Sequence, residues 1–236
     1  MTENIKITCQ ADRCSWMRVY LTLLAVGTFC SLAIATTYEA TRQRIARNRS
    51  GALQNAVVNV LPGAVSIETF YLDQAGDFVS VDQTLGEKNY VVAGYDYRGQ
   101  LIGVAIEATG YGYQDIIRLL YGYSPDQEQI VGFQVLESRE TPGLGDRVAV
   151  DKRFHEQIAG LNVAINHSGD ALLNPIVFVA GRSAVNAGEV DGVSGATVTS
   201  RAITHIISES SAHWVPRIKR QVEQFRQSEK EVRNAH

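Results

Sequence analysis

The segment VYLTLLAVGTFCSLAIATTY, Val19 to Tyr38, contains twenty residues without a formal charge, bounded by Arg18 and Glu39. At 1.5 Å per helical residue it extends about 30 Å, the hydrocarbon thickness of a bilayer. A helix of this kind needs lipid or a large protein shell around it. The rest of a 236-residue chain could hardly supply the shell, so a membrane-spanning helix over residues 19–38 is expected. Ala33 and Ala35 would also suit signal cleavage. An 18-residue polar lead-in and a helix-compatible continuation favour an uncleaved anchor instead. Lys6, Arg13 and Arg18 precede the span and Arg42, Arg44, Arg47 and Arg49 follow it, so positive charge does not decide which way it points.

The remainder can form one good core, since 45% of the chain is hydrophobic. A net charge of -3 gives no basic face for nucleic acid, and no nucleic-acid partner is expected. All three cysteines, Cys9, Cys14 and Cys30, lie in the first thirty residues, so no disulfide framework can form beyond the span. The five histidines lack metal-ligand spacing, and no metal site is expected.

Five regions follow from periodicity. Residues 1–18 form a short N-terminus, cytoplasmic in the orientation that the resemblance given below implies, 19–38 the transmembrane helix, and 39–61 a helical connector halted at Pro62-Gly63. Residues 62–215 form the folded domain, and the charged segment 216–236 a solvated or partner-facing helix or tail. Within the domain, YVVAGYDY (90–97) and LIGVAIEA (101–108) pair as a hairpin across Arg98-Gly99-Gln100. DIIRLLYG (115–122) and QIVGFQVLE (129–137) continue the antiparallel meander. A short helix is expected at 151–159, with Phe154 and Ile158 buried, followed by a strand at 175–181. A further helix begins near Arg201 with Ala202, Ile203, Ile206, Ile207 and Trp214 on its apolar face. The fold class is therefore α+β: a single N-terminal transmembrane helix, then an antiparallel sheet with packed helices.

Two loops carry the chemistry. DGVSGATVTS (191–200) sets small residues and hydroxyls between a strand and a helix. It can be read as a helix N-cap through Thr199 or Ser200, or as a phosphate seat at a helix start. It lacks the lysine and spacing of a P-loop, so a phosphate held there needs some other means of retention. ETPGLGD (140–146) is a rigid double turn in which Pro142 fixes φ and the glycines permit close backbone approach to a flat ligand.

Together these motifs, behind one N-terminal span, resemble the G subunit of the Rnf electron-transport complex. The related C subunit of the sodium-pumping NADH:quinone reductase shares its FMN-binding domain. The resemblance implies FMN joined covalently, through its phosphate, to the hydroxyl of Thr197 by a dedicated flavin transferase that draws on FAD. It further implies Ser194, Gly195 and Ala196 around that attachment point, Asp191 and Gly192 as transferase-recognition residues, and Thr141, Gly143, Leu144 and Gly145 as contacts of the flavin ring. Small neighbours would let the transferase close over the hydroxyl, and the ester would replace the absent lysine. No catalytic residue of the chain's own is implied. The expected activity is electron transfer within a complex that couples ferredoxin and NAD chemistry to ion movement. The expected partners are other membrane and peripheral subunits, the flavin transferase and membrane lipid. The expected location is the bacterial inner membrane, with the FMN domain on the periplasmic side. The GLGD form, Gly145-Asp146, lies nearer the Rnf protein than its quinone reductase counterpart.

The alternatives are a C-subunit-like component of a quinone reductase, a non-redox anchored binding or assembly module, and a hydrolase using Ser194. The last suffers because GVSGA ends in alanine where the nucleophile-elbow pattern has glycine. Arg182 and Arg201 are candidate counter-ions for a phosphodiester, and Tyr111 and Tyr113 are candidate ring neighbours.

Overall fold

The structure, a computed structural model, describes residues 3–80, 89–181 and 186–226. The chain divides into two compact units, Met1–Gly51 and Ala52–His236.

The described residues of the first unit are all helical, as the opening part of α1 (Glu3–Val60). The described part of the expected lead-in thus runs into the span and the start of the connector without a break. Within it, Trp16–Arg42 is long and apolar enough to cross a membrane by length and composition, and its apolar stretch is exposed throughout. Its serine and threonine hydroxyls are satisfied internally. Thr22, Thr28, Ser31, Thr36 and Thr37 each donate to a carbonyl three or four residues back, at 2.8 Å. Each is thereby fit for a medium without water, where an unpaired polar group is costly.

In the second unit, α1 ends at Val60, before Pro62-Gly63. Six antiparallel strands follow: β1 (Ser66–Leu72), β2 (Phe78–Ser80), β3 (Tyr90–Tyr95), β4 (Leu101–Tyr111), β5 (Ile116–Ser124) and β6 (Gln129–Glu137), in sheet order β2-β1-β3-β4-β5-β6. The expected meander is β3 to β6, with β6 at the expected bounds. The β1–β2 hairpin is not evident in the sequence: it sits at the sheet edge, where β2 has only three residues and β1 alternates weakly. Next come α2 (Lys152–Ile158) and a parallel pair, β7 (Val177–Val179) and β8 (Glu189–Asp191). The last long element is α3 (Thr197–Arg220). Asp151 caps α2 by accepting from the Phe154 N–H at 2.9 Å, and Phe154 and Ile158 are fully buried.

Both faces of the central strands are covered, which explains why β3 and β5 read as apolar runs without alternation. One face, including Val91, Ala93, Val104, Ile106, Leu119 and Tyr121, packs with Ile203, Ile207 and Trp214 of α3 and with α2. The other, including Val92, Ala105 and Leu120, packs against Ala56, Val57, Val60 and Leu61 at the end of α1. The expected domain boundary at residue 62 therefore falls beyond part of the core.

That second contact is made close by glycine. Gly94 pairs with Gly103 and Gly122 with Gly132, forming a track across β3 to β6. A Cβ at Gly122 would lie 2.2 Å from the Val60 carbonyl oxygen, and one at Gly132 would lie 2.4 Å from it and 2.6 Å from Val60 Cα. Neither neighbour is a flexible side chain that could turn aside. Gly132→Ala is accordingly expected to destabilise the folded unit by about 1–3 kcal/mol or more, read as a lower urea midpoint.

The expected boundary at 215 also gives way. α3 continues through the buried Pro216 to Arg220, and residues 222–226 are again helical. Rather than forming a solvated tail, this segment returns to the core: Phe225 is fully buried and its ring packs 4.7 Å from Phe70 and 4.8 Å from Phe78.

Candidate functional site

The site forms where three segments meet: the β4–β5 turn, the loop after β6 and the start of α3. Glu140, the first residue of ETPGLGD, is buried among them. Its Oε1 accepts from the backbone N–H of Gln114 at 3.0 Å and of Asp115 at 3.5 Å, and its Oε2 accepts from Thr199 Oγ1 at 2.7 Å. Thr141 Oγ1 adds a bond to Gln114 Oε1 at 2.8 Å. Two glycines leave room for this carboxylate. A Cβ on Gly112 would lie 2.3 Å from Glu140 Oε1, and one on Gly145 2.6 Å from Oε2.

The loop then turns at Gly143, whose φ of +78° places it in the left-handed region open to glycine. It enters a short 3-10 helix, Gly145–Ala149. Gly145 is buried against Glu140 and Thr199, while Leu144 projects into solvent at 53% exposure. Beside the loop lies a cavity of about 250 Å³ lined by Ile117, Val135, Ser138, Asp146, Val148 and Ile203, among others.

On the facing side, β8 leads through Gly192 to Gly195, with φ +85°, and into α3. The helix begins at Thr197, four residues before the expected start near Arg201. This changes what the hydroxyls do. Neither Thr199 nor Ser200 caps the helix: both lie inside its first turn and are buried, Thr199 donating to Glu140 and Ser200 donating to the Ala196 carbonyl at 2.9 Å. Ser200 Oγ also accepts from the Val193 N–H at 3.1 Å. The N-cap is Ala196, with no side-chain hydrogen bond, so the first N–H groups and the positive end of the helix dipole lack a side-chain acceptor. Thr197 is exposed there, as are Ser194 and Gly195; Ala196 is buried.

Other candidates fall as follows. Asp191 is mostly buried, its carboxylate paired with Arg153 at 2.9 Å and its N–H donating to Gln157 Oε1 at 2.8 Å, so it fastens β8 to α2. Gly192 is held small by the Phe178 ring, 2.9 Å from where a Cβ would stand. The guanidinium of Arg201 lies over that same ring, 5.1 Å from its centroid. Arg182 lies outside the described residues. Tyr111 and Tyr113 are exposed at 81% and 70%, flanking the turn that Glu140 and Thr141 hold.

Two residues of the site do not stand out in the sequence. Glu140 reads there only as the opening residue of a loop; the signal available is a carboxylate placed directly before a glycine-rich turn at a strand exit. Arg147 gives no signal at all. Its Nη1 lies 3.1 Å from where a Cβ of Gly195 would be, two residues from Thr197, and this proximity exists only in three dimensions.

Comparison with known proteins bears on this arrangement. Residues 112–211, which span all three site segments, match the FMN-binding domain family. The G subunit of the ion-translocating oxidoreductase complex from Methanosarcina acetivorans is 30% identical, covering 79% of this chain and 87% of its own length. The chain belongs to that family. A second family member, the G subunit from Cereibacter sphaeroides, is 34% identical over 75% of this chain and 74% of its own. The fold of this G-family chain also occurs in solved structures of the quinone reductase counterpart. NqrC of Shewanella oneidensis aligns with a TM-score of 0.54 at 22% identity, covering 78% of this chain and 99% of that one. The C subunit of the Na(+)-translocating NADH-quinone reductase of Parabacteroides distasonis gives 0.57 at 19%, covering 74% and 96%. The G-family assignment rests on the sequence relatives; the two solved structures show the α+β fold.

Proposed function

We propose that this chain is the membrane-anchored FMN subunit of an ion-translocating oxidoreductase complex, with FMN joined by a phosphoester to Thr197. The observation that supports the attachment is the contrast among four hydroxyls. Thr199 and Ser200 are buried and hydrogen-bonded, whereas Thr197 and Ser194 are exposed, and Thr197 alone of these two stands at the uncapped start of α3.

The residues present fit an esterified phosphate. The first-turn N–H groups of α3 offer donors toward it, and Arg147, beside Gly195, offers a positive charge. In maturation, Thr197 Oγ1 loses its proton and bonds to the flavin-side phosphorus of FAD, and AMP leaves; a flavin transferase would carry out this exchange. Gly195 and Ser194 keep the approach uncrowded. Thr141, Gly143, Leu144 and Gly145 would support the ring, with Tyr111 and Tyr113 at its margin. When bound, FMN supplies the electron transfer. The chain's part is to hold it: a tether keeps the cofactor beside its redox neighbours at high effective concentration. Other subunits of the complex would surround the domain. The helix Trp16–Arg42 would anchor the chain in the inner membrane, with the domain on the periplasmic side.

Intact mass of the full chain, produced together with a flavin transferase, tests this. The expected result is a gain of one FMN less water, located by peptide mapping to the peptide containing Thr197 and visible as in-gel fluorescence after denaturation. Unmodified protein under those conditions would refute the attachment.

A further inference from the structure

We infer that Glu140 is the positioning residue of this site: its carboxylate sets the distance between the turn that carries Thr197 and the loop that would support the flavin ring. The inference rests on the flavin attachment proposed above.

Glu140 is 5% exposed, and among the described residues no ion pair includes it. Its donors are a hydroxyl and two backbone amides. A buried carboxylate without a cation is costly unless its oxygens are well served. Here each oxygen serves a different segment. Oε1 holds the β4–β5 turn through Gln114 and Asp115, while Oε2 holds α3 through Thr199. Because Glu140 itself belongs to the loop, one side chain locks three segments. Gly112 and Gly145, which come from two of those segments, are both kept free of side chains by this carboxylate. Thr199 stands two residues from Thr197 on the same helical turn. A shift of Glu140 would therefore move the loop relative to the attachment point.

Glutamine discriminates between hydrogen-bond geometry and charge. Its Oε1 can keep the Gln114 and Asp115 amides, and its Nε2 can donate to the Thr199 hydroxyl, which accepts as readily as it donates. Alanine loses both sets. Thr199→Val keeps the side-chain shape and removes only the α3 bond.

The test compares E140A, E140Q and T199V in the flavin-loaded full chain by the visible circular dichroism of the flavin, which reports a fixed ring orientation. Amide hydrogen exchange at 112–115 and 141–145 is measured in the loaded chain and in a flavin-free Thr197→Ala background. E140A is expected to weaken the flavin signal and to raise exchange in both segments by at least about tenfold, in line with the loss of hydrogen bonds to a charged group. E140Q should restore most of both. T199V should reproduce the effect at 141–145 and add little to E140A, as residues sharing one interaction do. Wild-type exchange and dichroism in E140A would overturn the inference. So would equal damage in E140Q, which would assign the effect to charge. If E140A does not fold, E140Q and T199V decide by the same criteria. If the wild-type chain carries no covalent flavin, the attachment to Thr197 fails, while exchange in the Thr197→Ala background still judges the lock.

Discussion

Thr197→Ala is expected to abolish covalent flavin completely, leaving a single unmodified mass and no in-gel fluorescence, while the protein unfolds at the same temperature as wild type. The two halves of this result have separate causes. Esterification needs an oxygen at that point of the helix, and the neighbouring Thr199 and Ser200 cannot substitute because both are buried and engaged. Stability is unaffected because Thr197 is exposed and contributes no cap, and surface substitutions of this kind fall within about 0.5 kcal/mol. Thr197→Ser keeps the nucleophile and should retain attachment. Flavin mass remaining on the Thr197→Ala chain would show that a different hydroxyl is used, with Ser194 the exposed candidate.

Phe225→Ala is the substitution expected to cost the most stability, about 3–5 kcal/mol, through lost burial and the cavity left behind. The ring is fully buried between Phe70 of β1 and Phe78 of β2. The backbone around it is tied as well. Tyr95 Oη donates to the Phe225 carbonyl at 2.7 Å, the Gln221 side chain donates to the Gly76 carbonyl at 2.8 Å, and the Phe78 N–H donates to Gln221 Oε1 at 3.3 Å. The final described residues thus hold the β1–β2 edge onto the sheet. Denaturant titration of the full chain should show a lower midpoint, and hydrogen exchange should rise first in Ser66–Ser80. A change below about 1 kcal/mol would mean that this segment is not part of the cooperative core.

How much of this is readable from the sequence depends on the range of the physics involved. The four-strand meander is legible because each strand is a short run of β-branched and aromatic residues between turn residues. The helix at Lys152–Ile158 is legible because Phe154 and Ile158 repeat at helical spacing. The β1–β2 hairpin is not, because its burial comes from Phe225, some 150 residues later. The charges around Phe225 point to solvent. Arg226 pairs with Asp126 at 2.6 Å and Lys219 with Glu128 at 2.8 Å, so they line the margin of a packed segment. The glycine track has a signal, a glycine within each of four adjacent strands and two in β4, whose meaning needs the register that sets Gly94 opposite Gly103 and Gly122 opposite Gly132. At the site, both motifs are visible as loops. What joins them, Glu140 reaching Thr199 across 59 residues of sequence, is not.

The starting phase of α3 has a consequence for how the chain can vary. Successive helical residues rotate by about 100°, so the hydroxyls at 197 and 199 point to nearly opposite sides of the helix. Deleting one residue between Gly192 and Ala196 would leave composition almost untouched. If the helix body stayed in its groove, the shortened linker would have to unwind the first turn or drag Thr197 toward the interior. Length, more than letter identity, is then the quantity that this linker must preserve, and single-residue indels there should be far more damaging than conservative replacements.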